Sequence, residues 1–573
     1  MLTVSVPKLR VRGPRTAEVR PSRVEAWLAA LPQANAEDSM QQIQQALYVQ
    51  NRTELDSGNR LILMELYQEP VLNIAETLAQ SYITSSFPLT RRQFDLAASV
   101  QHLCEELANG YSIVANDLIT HQATSKNKME FALALQRATD TLSRVVLNAC
   151  AIYCPYPEDV WRQLHQLYRI SEEQGILNFP VADAAMGDSS DGTVTLYDSY
   201  QRAILIGACN PYGLLQGECT RLFKLIAQWR TGIQIVTLSQ NEKFDRPGDF
   251  LVNLTSDSPP VPLVKVAKSE LTPDKRDTLR LVNSLDVVRE VHSILKELGL
   301  SSTKSVAGEF VVGGGTNSDL LRRFGRVLAG VDIVRRSTRS GYDREIPICV
   351  GMNSIHFFAN GQRTFQAPDP DSEAEAPRSF APSEEFFDLA DPTVGNLHDP
   401  EQINTGPIDL ALYSNIHRLH TCSVKDQSAS GLCVEIRNQP EFRVRVGDLI
   451  GLQFPTPDRW RVGVVRWVRN RGGESVEFGA QLLAPNLCPV AVKRTIDNDT
   501  FIQALLLPSN RSLKQPETLL VPRGAYHPGD KLILSWNAAE KQLISPLQIL
   551  DRTGSFDQLL IVLPDPNPPA VGP

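Results

Sequence analysis

Residues 460–483 read WRVGVVRWVRNRGGESVEFGAQLL, and they set the character of the C-terminal part of the chain. The runs Trp460–Val468 and Ser475–Leu483 are rich in β-branched and aromatic residues and are bounded by turn residues, which is typical of β-strands. The same pattern recurs from Ile408 onward. It predicts further strands at Arg418–Lys425, Leu432–Ile436, Leu449–Phe454, Phe501–Leu507, Thr518–Val521, Lys531–Ser535, Ile544–Leu550 and Ser555–Leu563. This spacing is typical of a Greek-key or six-stranded antiparallel barrel with a second small β unit after it.

Two short polar motifs accompany these strands. Arg335-Arg336-Ser-Thr-Arg339 has the form RxxxR, and Asp426-Gln-Ser428-Ala-Ser-Gly431 has the form DxSxxG. Taken alone, the first motif is explained by a solvated basic helix end. The second is explained by an ordinary β-turn, because Asp, Ser and Gly favour turns for local reasons.

The order of these features is more specific than any one of them. Along the chain the features come in this order: RxxxR, a strand, DxSxxG, a strand, Gly447-Asp448, the VGVVRWV strand and the FGAQLL strand. This series resembles the PilZ domain, a bacterial cyclic-di-GMP receptor module. The resemblance covers residues 332–358 and 421–487. It implies that Arg335 and Arg339 contact phosphate and guanine, with Arg336 as an unassigned third candidate. It also implies that Asp426, Ser428 and Gly431 form the half of the site on the barrel surface.

The chemistry of the residues agrees with such a ligand, which carries two phosphates and two guanines. A guanidinium fork meets the O6 and N7 acceptors of guanine, stacks on a purine and pairs with phosphate. The Asp426 carboxylate can accept hydrogen bonds from guanine N1–H and N2–H, and Ser428 adds a compact hydroxyl. A glycine at 431 lets the backbone turn tightly beside a ligand.

One departure from the family pattern is the distance between the motifs. Arg339 precedes Asp426 by 87 positions, and the acidic, proline-rich stretch 366–406 lies between them. Loop-closure free energy rises by only about 0.6 kcal/mol per doubling of length, so the insertion is compatible with a barrel. We expect Arg344–Phe358 to be the first barrel strand and Ile416–Lys425 the second. The acidic groups of the insertion compete for the arginines, and the insertion is long enough to cover the pocket.

The first half of the chain has helical periodicity instead. Phe94, Val100, Leu103, Leu107 and Tyr111 fall near 3.6-residue spacing in a predicted helix over 90–119. Pro70 is expected to end one helix or start the next, since proline lacks an amide proton. Residues 272–300 are predicted to form one helix.

The resulting fold class is multidomain α+β, with an N-terminal helical bundle or superhelix, a central mixed α/β segment and a C-terminal PilZ-like antiparallel β-barrel with an additional β unit. The predicted segments are an extended N-terminal segment (1–37), a helical domain (38–232), a mixed α/β segment (233–330), the RxxxR segment with the first barrel strand (331–365), an acidic disordered insertion (366–406), the barrel (407–495) and a C-terminal β unit (496–573).

Composition argues against several classes of function. The net charge is −8, which disfavours a broad DNA- or RNA-binding face. No window has the roughly 18 apolar residues of a membrane span, and the N-terminus does not have a signal-peptide pattern. The nine irregularly spaced cysteines indicate reduced thiols rather than disulfides or zinc. We expect no metal at His417, His420 and Cys422, and no phosphate loop at Gly313, which lacks a following Lys-Ser/Thr pair.

These observations predict a cyclic-di-GMP-binding effector that has no catalytic residues and needs no cofactor beyond this ligand. The helical half is expected to bind partner proteins and to control pili, motility or biofilm by analogy with the family. A cytoplasmic location follows, with recruitment to the inner membrane or a cell pole through partners only. The alternative is a scaffold or adaptor whose degenerate PilZ barrel no longer binds nucleotide.

Overall fold

The structure is a computed structural model of the whole chain. It describes residues 3–9, 18–32, 34–85, 87–121, 124–182, 192–229, 232–238, 248–267, 272–300, 317–330, 340–368, 417–428, 430–437, 439, 441–455, 458–471, 475–495, 500–509, 515–527, 529–536 and 541–563. The predicted Gly313 loop, the RxxxR motif and nearly all of the acidic insertion lie outside these residues.

The N-terminal half is helical, as the periodicity predicts. Its helices are α1 (Pro21–Ala29), α2 (Ala36–Gln50), α3 (Ser57–Ile83), α4 (Arg91–Thr120), α5 (Lys128–Ala151), α6 (Val160–Glu173), α7 (Leu196–Ala208) and α8 (Glu218–Gln228). A short two-stranded sheet, β1 (Val181–Ala182) with β2 (Thr193–Val194), precedes α7. A capping box of Thr90 and Gln93 starts α4. α5 is buried along most of its length, so it is the central helix on which its neighbours pack.

The prediction that Pro70 ends a helix is wrong. α3 continues through Pro70 from Ser57 to Ile83. Tyr67 and Val71 on either side of the proline are fully buried in the helical core. This packing lets α3 continue past Pro70 although the proline removes one backbone hydrogen bond.

The middle segment contains a small sheet with two helices. The strands β3 (Gln234–Thr237), β4 (Asp249–Asn253), β5 (Val261–Pro262) and β6 (Leu279–Asn283) pair in the order β3-β6-β4-β5, and the helices are α9 (Leu285–Leu300) and α10 (Asn317–Leu328). The prediction of one helix over 272–300 is therefore wrong, because the strand β6 separates a short 3-10 helix, Pro273–Thr278, from α9. β6 lies between two strands and is buried on both faces, and such a short apolar run has the same pattern as a buried helical turn.

A closed six-stranded barrel confirms the predicted barrel. Its strands are β7 (Ser340–Val350), β8 (His420–Ser428), β9 (Gly431–Arg437), β10 (Leu449–Pro455), β11 (Asp458–Arg471) and β12 (Ser475–Ala484). Their order is β10-β11-β12-β9-β8-β7, and every pairing given for the barrel is antiparallel. β7 precedes the acidic insertion and β8 follows it, so the first strand pairs with the second across the insertion.

The predicted first strand is too long at its C-terminal end. β7 stops at Val350, and α11 (Met352–Ala359) follows at once. Gly351 adopts φ +89°, a conformation that L-residues rarely adopt, and this ends the strand. Met352 and Ile355 then pack against Leu449 and Val462 on the outer wall of the barrel.

The C-terminal β unit is a seven-stranded sheet. Its strands are β13 (Cys488–Arg494), β14 (Ile502–Leu507), β15 (Thr518–Pro522), β16 (Leu532–Ser535), β17 (Lys541–Ile544), β18 (Gln548–Arg552) and β19 (Phe556–Leu560), in the order β17-β16-β13-β14-β15-β19-β18. β13 has no counterpart among the predicted strands and belongs to this sheet, although the predicted barrel segment 407–495 includes it. The predicted strand Ile544–Leu550 is two strands, β17 and β18.

The barrel lies between the helical domain and the C-terminal sheet. On one side, the Val444 amide donates to the Phe87 carbonyl at 2.9 Å, and the Asn470 amide donates to the Tyr153 carbonyl at 2.8 Å. On the other side, Val464 of the barrel shares a buried apolar cluster with Leu505 of the sheet. The site described next therefore lies on a barrel with a domain on either side.

Candidate functional site

The DxSxxG turn (Asp426–Gly431) connects two strands of the barrel wall. Ser428 at the end of β8 pairs with Gly431 at the start of β9, and the Ser428 hydroxyl donates to the Gly431 carbonyl at 3.1 Å. The structure therefore places these two predicted site residues together in one tight connection. Asp426, Ser428 and Gly431 are all partly exposed, so a ligand can reach them.

The strand pairing is irregular on both sides of β8 next to Asp426. The register between β8 and β9 shifts between Val424 and Asp426, and the register between β7 and β8 shifts between Gly341 and Arg344. β-bulges bend a strand and change the direction of side chains, and they are frequent beside binding sites. Two shifts on opposite sides of one aspartate thus distinguish this part of the wall from regular sheet.

The position of β7 connects the two halves of the predicted site. Gly341 pairs with Asp426, and Ser340 pairs with Gln427. Arg335, Arg336 and Arg339 themselves lie outside the described residues, so the structure gives no coordinates for the predicted RxxxR contacts. The strand that begins directly after Arg339 is nevertheless the strand that pairs with the one carrying Asp426.

Gly431 approaches the neighbouring strand closely. A Cβ atom built at this position would lie 2.8 Å from the Ala480 carbonyl oxygen, and the Leu482 amide donates to the Ser430 carbonyl at 3.0 Å. Gly431 pairs with Gln481 in the register of β9 and β12. The glycine is thus required by the approach to β12 rather than by an unusual backbone angle.

Two cationic side chains of strands β8 and β9 are paired with a carboxylate. Lys425 and Arg437 both contact the Glu435 carboxylate, at 3.0 Å and 2.8 Å. The hydrogen bond from Arg437, together with that from Lys425, holds the pKa of Glu435 below its usual range. These two cations are therefore engaged with a carboxylate of the same wall.

Two residues beside the turn were missed by the sequence-based site prediction. Gln481 pairs with Gly431, and Arg466 donates to the Gln481 side chain at 2.8 Å. The one signal in the sequence is that Arg466 interrupts the apolar run VGVV-R-WV of a barrel strand. An isolated arginine in such a run indicates a specific partner, but it does not identify that partner.

The histidines and cysteine considered for a metal have other contacts. His417 stacks on Phe357, His420 contacts Gln439 and Phe442, and the Cys422 thiol donates to the Ile346 carbonyl. Within the described ranges, no group of three His, Cys, Asp or Glu side chains is arranged to hold a metal ion. In those same ranges, every helix is too short or too polar to span a bilayer.

Comparisons with known proteins agree with this architecture along the chain. Three family models match: "Cyclic-di-GMP receptor FimW, N-terminal domain" at residues 22–240, "Cyclic-di-GMP receptor FimW, middle PilZ domain" at 250–489 and "FimW C-terminal beta-barrel domain" at 488–562. The protein named cyclic-di-GMP receptor FimW from Pseudomonas aeruginosa is 24% identical over 596 residues, which cover 97% of this chain and 93% of that protein. No solved structure matches. The middle match spans both stretches that carry the resemblance in sequence, 332–358 and 421–487.

Proposed function

The chain belongs to the PilZ-domain family of cyclic-di-GMP receptors, and from that premise we propose that it binds cyclic-di-GMP at the DxSxxG turn with the arginines of the RxxxR motif. The observation that carries this proposal is the pairing of Gly341 with Asp426. Consecutive Cα atoms are about 3.8 Å apart, so the covalent chain keeps Arg339 beside the strand partner of Gln427. The long insertion is therefore compatible with a contact between Arg339 and the DxSxxG turn.

The proposed roles follow from the chemistry of each group. Asp426 accepts hydrogen bonds from a guanine edge, Ser428 contributes its hydroxyl, and Gly431 lets the turn lie close to β12. Lys425 and Arg437 are engaged with Glu435, which leaves the two ligand phosphates to other cations. We assign that role to Arg335 and Arg339, with Arg336 as a further contact.

We propose further that the protein acts by relaying occupancy of this site. PilZ-type receptor domains are in general non-catalytic, and we assign no catalytic step and no cofactor to this chain. The helical domain is the proposed surface for partner proteins, because it makes direct backbone contacts with the barrel at Phe87 and Tyr153. Control of pili, motility or biofilm from the cytoplasm is the proposed output.

Isothermal titration of the full chain with cyclic-di-GMP tests the binding site. We expect micromolar or tighter binding, weakened by at least about tenfold, or 1.4 kcal/mol, in Arg339→Ala and in Asp426→Ala. Arg91→Ala and Asp95→Ala are matched controls, because they remove an exposed arginine–aspartate pair within helix α4, which is part of neither the barrel nor the DxSxxG turn. These controls are expected to bind like the unmodified chain.

A silent titration at tens of micromolar protein would overturn the proposal and support a scaffold with a degenerate barrel. Binding that survives both site substitutions would place the ligand elsewhere on the chain. Circular dichroism of each variant confirms that a loss of binding is not a loss of fold.

A further inference from the structure

Arg466 has an unusual position in strand β11. The register between β11 and β12 shifts between Val465 and Trp467, so Arg466 is the extra residue of a β-bulge. Its neighbours Val465 and Val464 are fully buried. A bulge redirects the side chain of its extra residue. This explains how an arginine is accommodated in the otherwise apolar run Val462–Val468 of the strand.

The guanidinium of Arg466 joins two domains. Its Nε donates to Gln481 Oε1 at 2.8 Å on the barrel wall, and its Nη2 donates to Asp551 Oδ2 at 2.7 Å on strand β18. Because the guanidinium group is planar and rigid, a shift of one acceptor must move the group or break one of the two bonds. Most surface ion pairs lack such a double constraint and contribute little.

On the barrel side, this arginine lies next to the DxSxxG turn. Gln481 is the cross-strand partner of Gly431, and such partners project on the same face of a sheet. Gly431 has no side chain on that face, and its backbone is in close approach to the Ala480 carbonyl. A movement of the turn is therefore passed directly to β12 at Gln481.

On the other side, the partner is an edge strand of the C-terminal sheet. β18 carries its own register shift between Ile549 and Asp551, which lies at the point where Asp551 meets Arg466. A second link joins the same domains nearby, where the Ser555 hydroxyl donates to Asp448 Oδ1 at 2.8 Å. An edge strand is paired on one side only, so its backbone hydrogen bonds are among the more easily opened parts of a sheet.

We propose that Arg466 is a positioning residue through which occupancy of the DxSxxG turn changes strand β18 of the C-terminal sheet. The inference rests on the proposed function for the identity of the ligand. A ligand shifts a structural equilibrium only by contacting its two states differently. A continuous series of contacts runs from the turn through Gln481 and Arg466 to Asp551. We infer that this series is arranged differently in the ligand-bound and ligand-free states. The C-terminal sheet is then an output of the receptor in addition to the helical domain.

Hydrogen exchange of the full chain, measured with and without saturating cyclic-di-GMP, tests the coupling. In the unmodified chain we expect ligand to slow exchange at Asp426–Gly431 and, by about threefold or more, at Gln548–Arg552. Asp551→Ala removes the acceptor for Arg466, so the slowing at the turn is expected to remain while the slowing at β18 disappears. Asp551→Glu keeps a carboxylate for Arg466 and is expected to restore the response.

Arg471→Gln is the matched control. Arg471 pairs with Glu477 across the same two strands, β11 and β12, but this pair lies within the barrel wall. The variant is expected to retain slowed exchange at both places. The inference is wrong if β18 does not respond in the unmodified chain while the turn does, or if Asp551→Ala keeps the β18 response. An absence of binding and of any response would instead contradict the proposed function.

Discussion

Gly431 shows how one residue can be required by packing rather than by backbone conformation. A methyl group at this position would meet the Ala480 carbonyl oxygen at 2.8 Å, closer than real Cβ contacts occur, and both atoms belong to paired strands. Gly431→Ala must therefore separate β9 from β12 at the turn. We expect a loss of about 1–3 kcal/mol of stability, as for overpacking in a core, together with weaker cyclic-di-GMP binding. Urea denaturation and calorimetry measure the two effects.

Gly341→Ala is the control for this prediction on the opposite side of Asp426. Nothing lies within 4 Å of a Cβ built at Gly341, and this glycine pairs with Asp426 in β7. We expect Gly341→Ala to leave the urea midpoint almost unchanged. Equal stabilities for the two variants would show that the contact with Ala480 does not require glycine.

Site residues can be predicted from the sequence when they belong to one short motif. Asp426, Ser428 and Gly431 are predicted as site residues because their motif lies within six consecutive residues, and the structure places all three on the β8–β9 connection. Gln481 and Arg466 were not found. Their positions depend on the register of β12 and on a bulge in β11, and the one signal in the sequence, the arginine that interrupts an apolar run, does not identify its partner.

The N-terminus of helix α6 is capped by a side chain that is distant in sequence. Its N-cap residue, Asp159, gives no side-chain cap, and the Asp257 carboxylate instead accepts from the backbone amides of Asp159, Trp161 and Arg162 at 2.7–3.1 Å. We expect Asp257→Ala to destabilise the protein by about 1–2 kcal/mol, since it removes a cap and a favourable charge at a helix N-terminus. The urea midpoint and the exchange rates of the α6 amides test this expectation.

Asp257→Asn separates the two contributions to this cap. The amide retains one acceptor oxygen but loses the charge, so its stability is expected to lie between those of the unmodified chain and Asp257→Ala. An unchanged midpoint in Asp257→Ala would mean that solvent caps α6 equally well.

Elements with long periodic patterns were predictable, and short buried ones were not. The helix expected over 90–119 is α4, Arg91–Thr120. By contrast, the sequence of β6 predicts a helix, because a strand buried on both faces has no alternation of polar and apolar residues. The sequence of α11 predicts a continuation of β7, because eight residues contain too few turns for a helical period to be visible.

At the scale of the whole molecule, the acidic insertion does not disturb the barrel. β7 and β8 pair over most of their lengths although the insertion lies between them, as expected when loop-closure entropy grows only with the logarithm of length. The sequence predicts both the barrel and the β unit that follows it. It does not predict that α11 and the C-terminal sheet cover one outer wall, because contacts between separate units have no period in sequence.

The contact between the helical domain and the middle sheet provides a prediction for pH. His165 of α6 is fully buried. Its Nε2–H donates to the Ser258 carbonyl at 3.0 Å, while Nδ1 accepts from the Tyr200 hydroxyl at 2.8 Å. Burial lowers the pKa of His165 to about 4, although Ser258 and the Asp257 charge oppose this shift. Because the unfolded chain has the higher pKa, near 6.5, it binds the extra proton first as pH falls, and stability is lost between about pH 6.5 and 4.

This one histidine therefore makes a measurable contribution to the dependence of stability on pH. From these two pKa values, the loss at pH 5 relative to neutral pH is about 2 kcal/mol. We expect urea midpoints of the unmodified chain to fall more between pH 7.5 and pH 5 than those of His165→Gln, which keeps a polar side chain but does not titrate. Other histidines are present in both proteins, so their effects cancel in the comparison. Parallel pH profiles would show that His165 is not held neutral between these domains, and that the helical domain opens to water there more readily than its packing indicates.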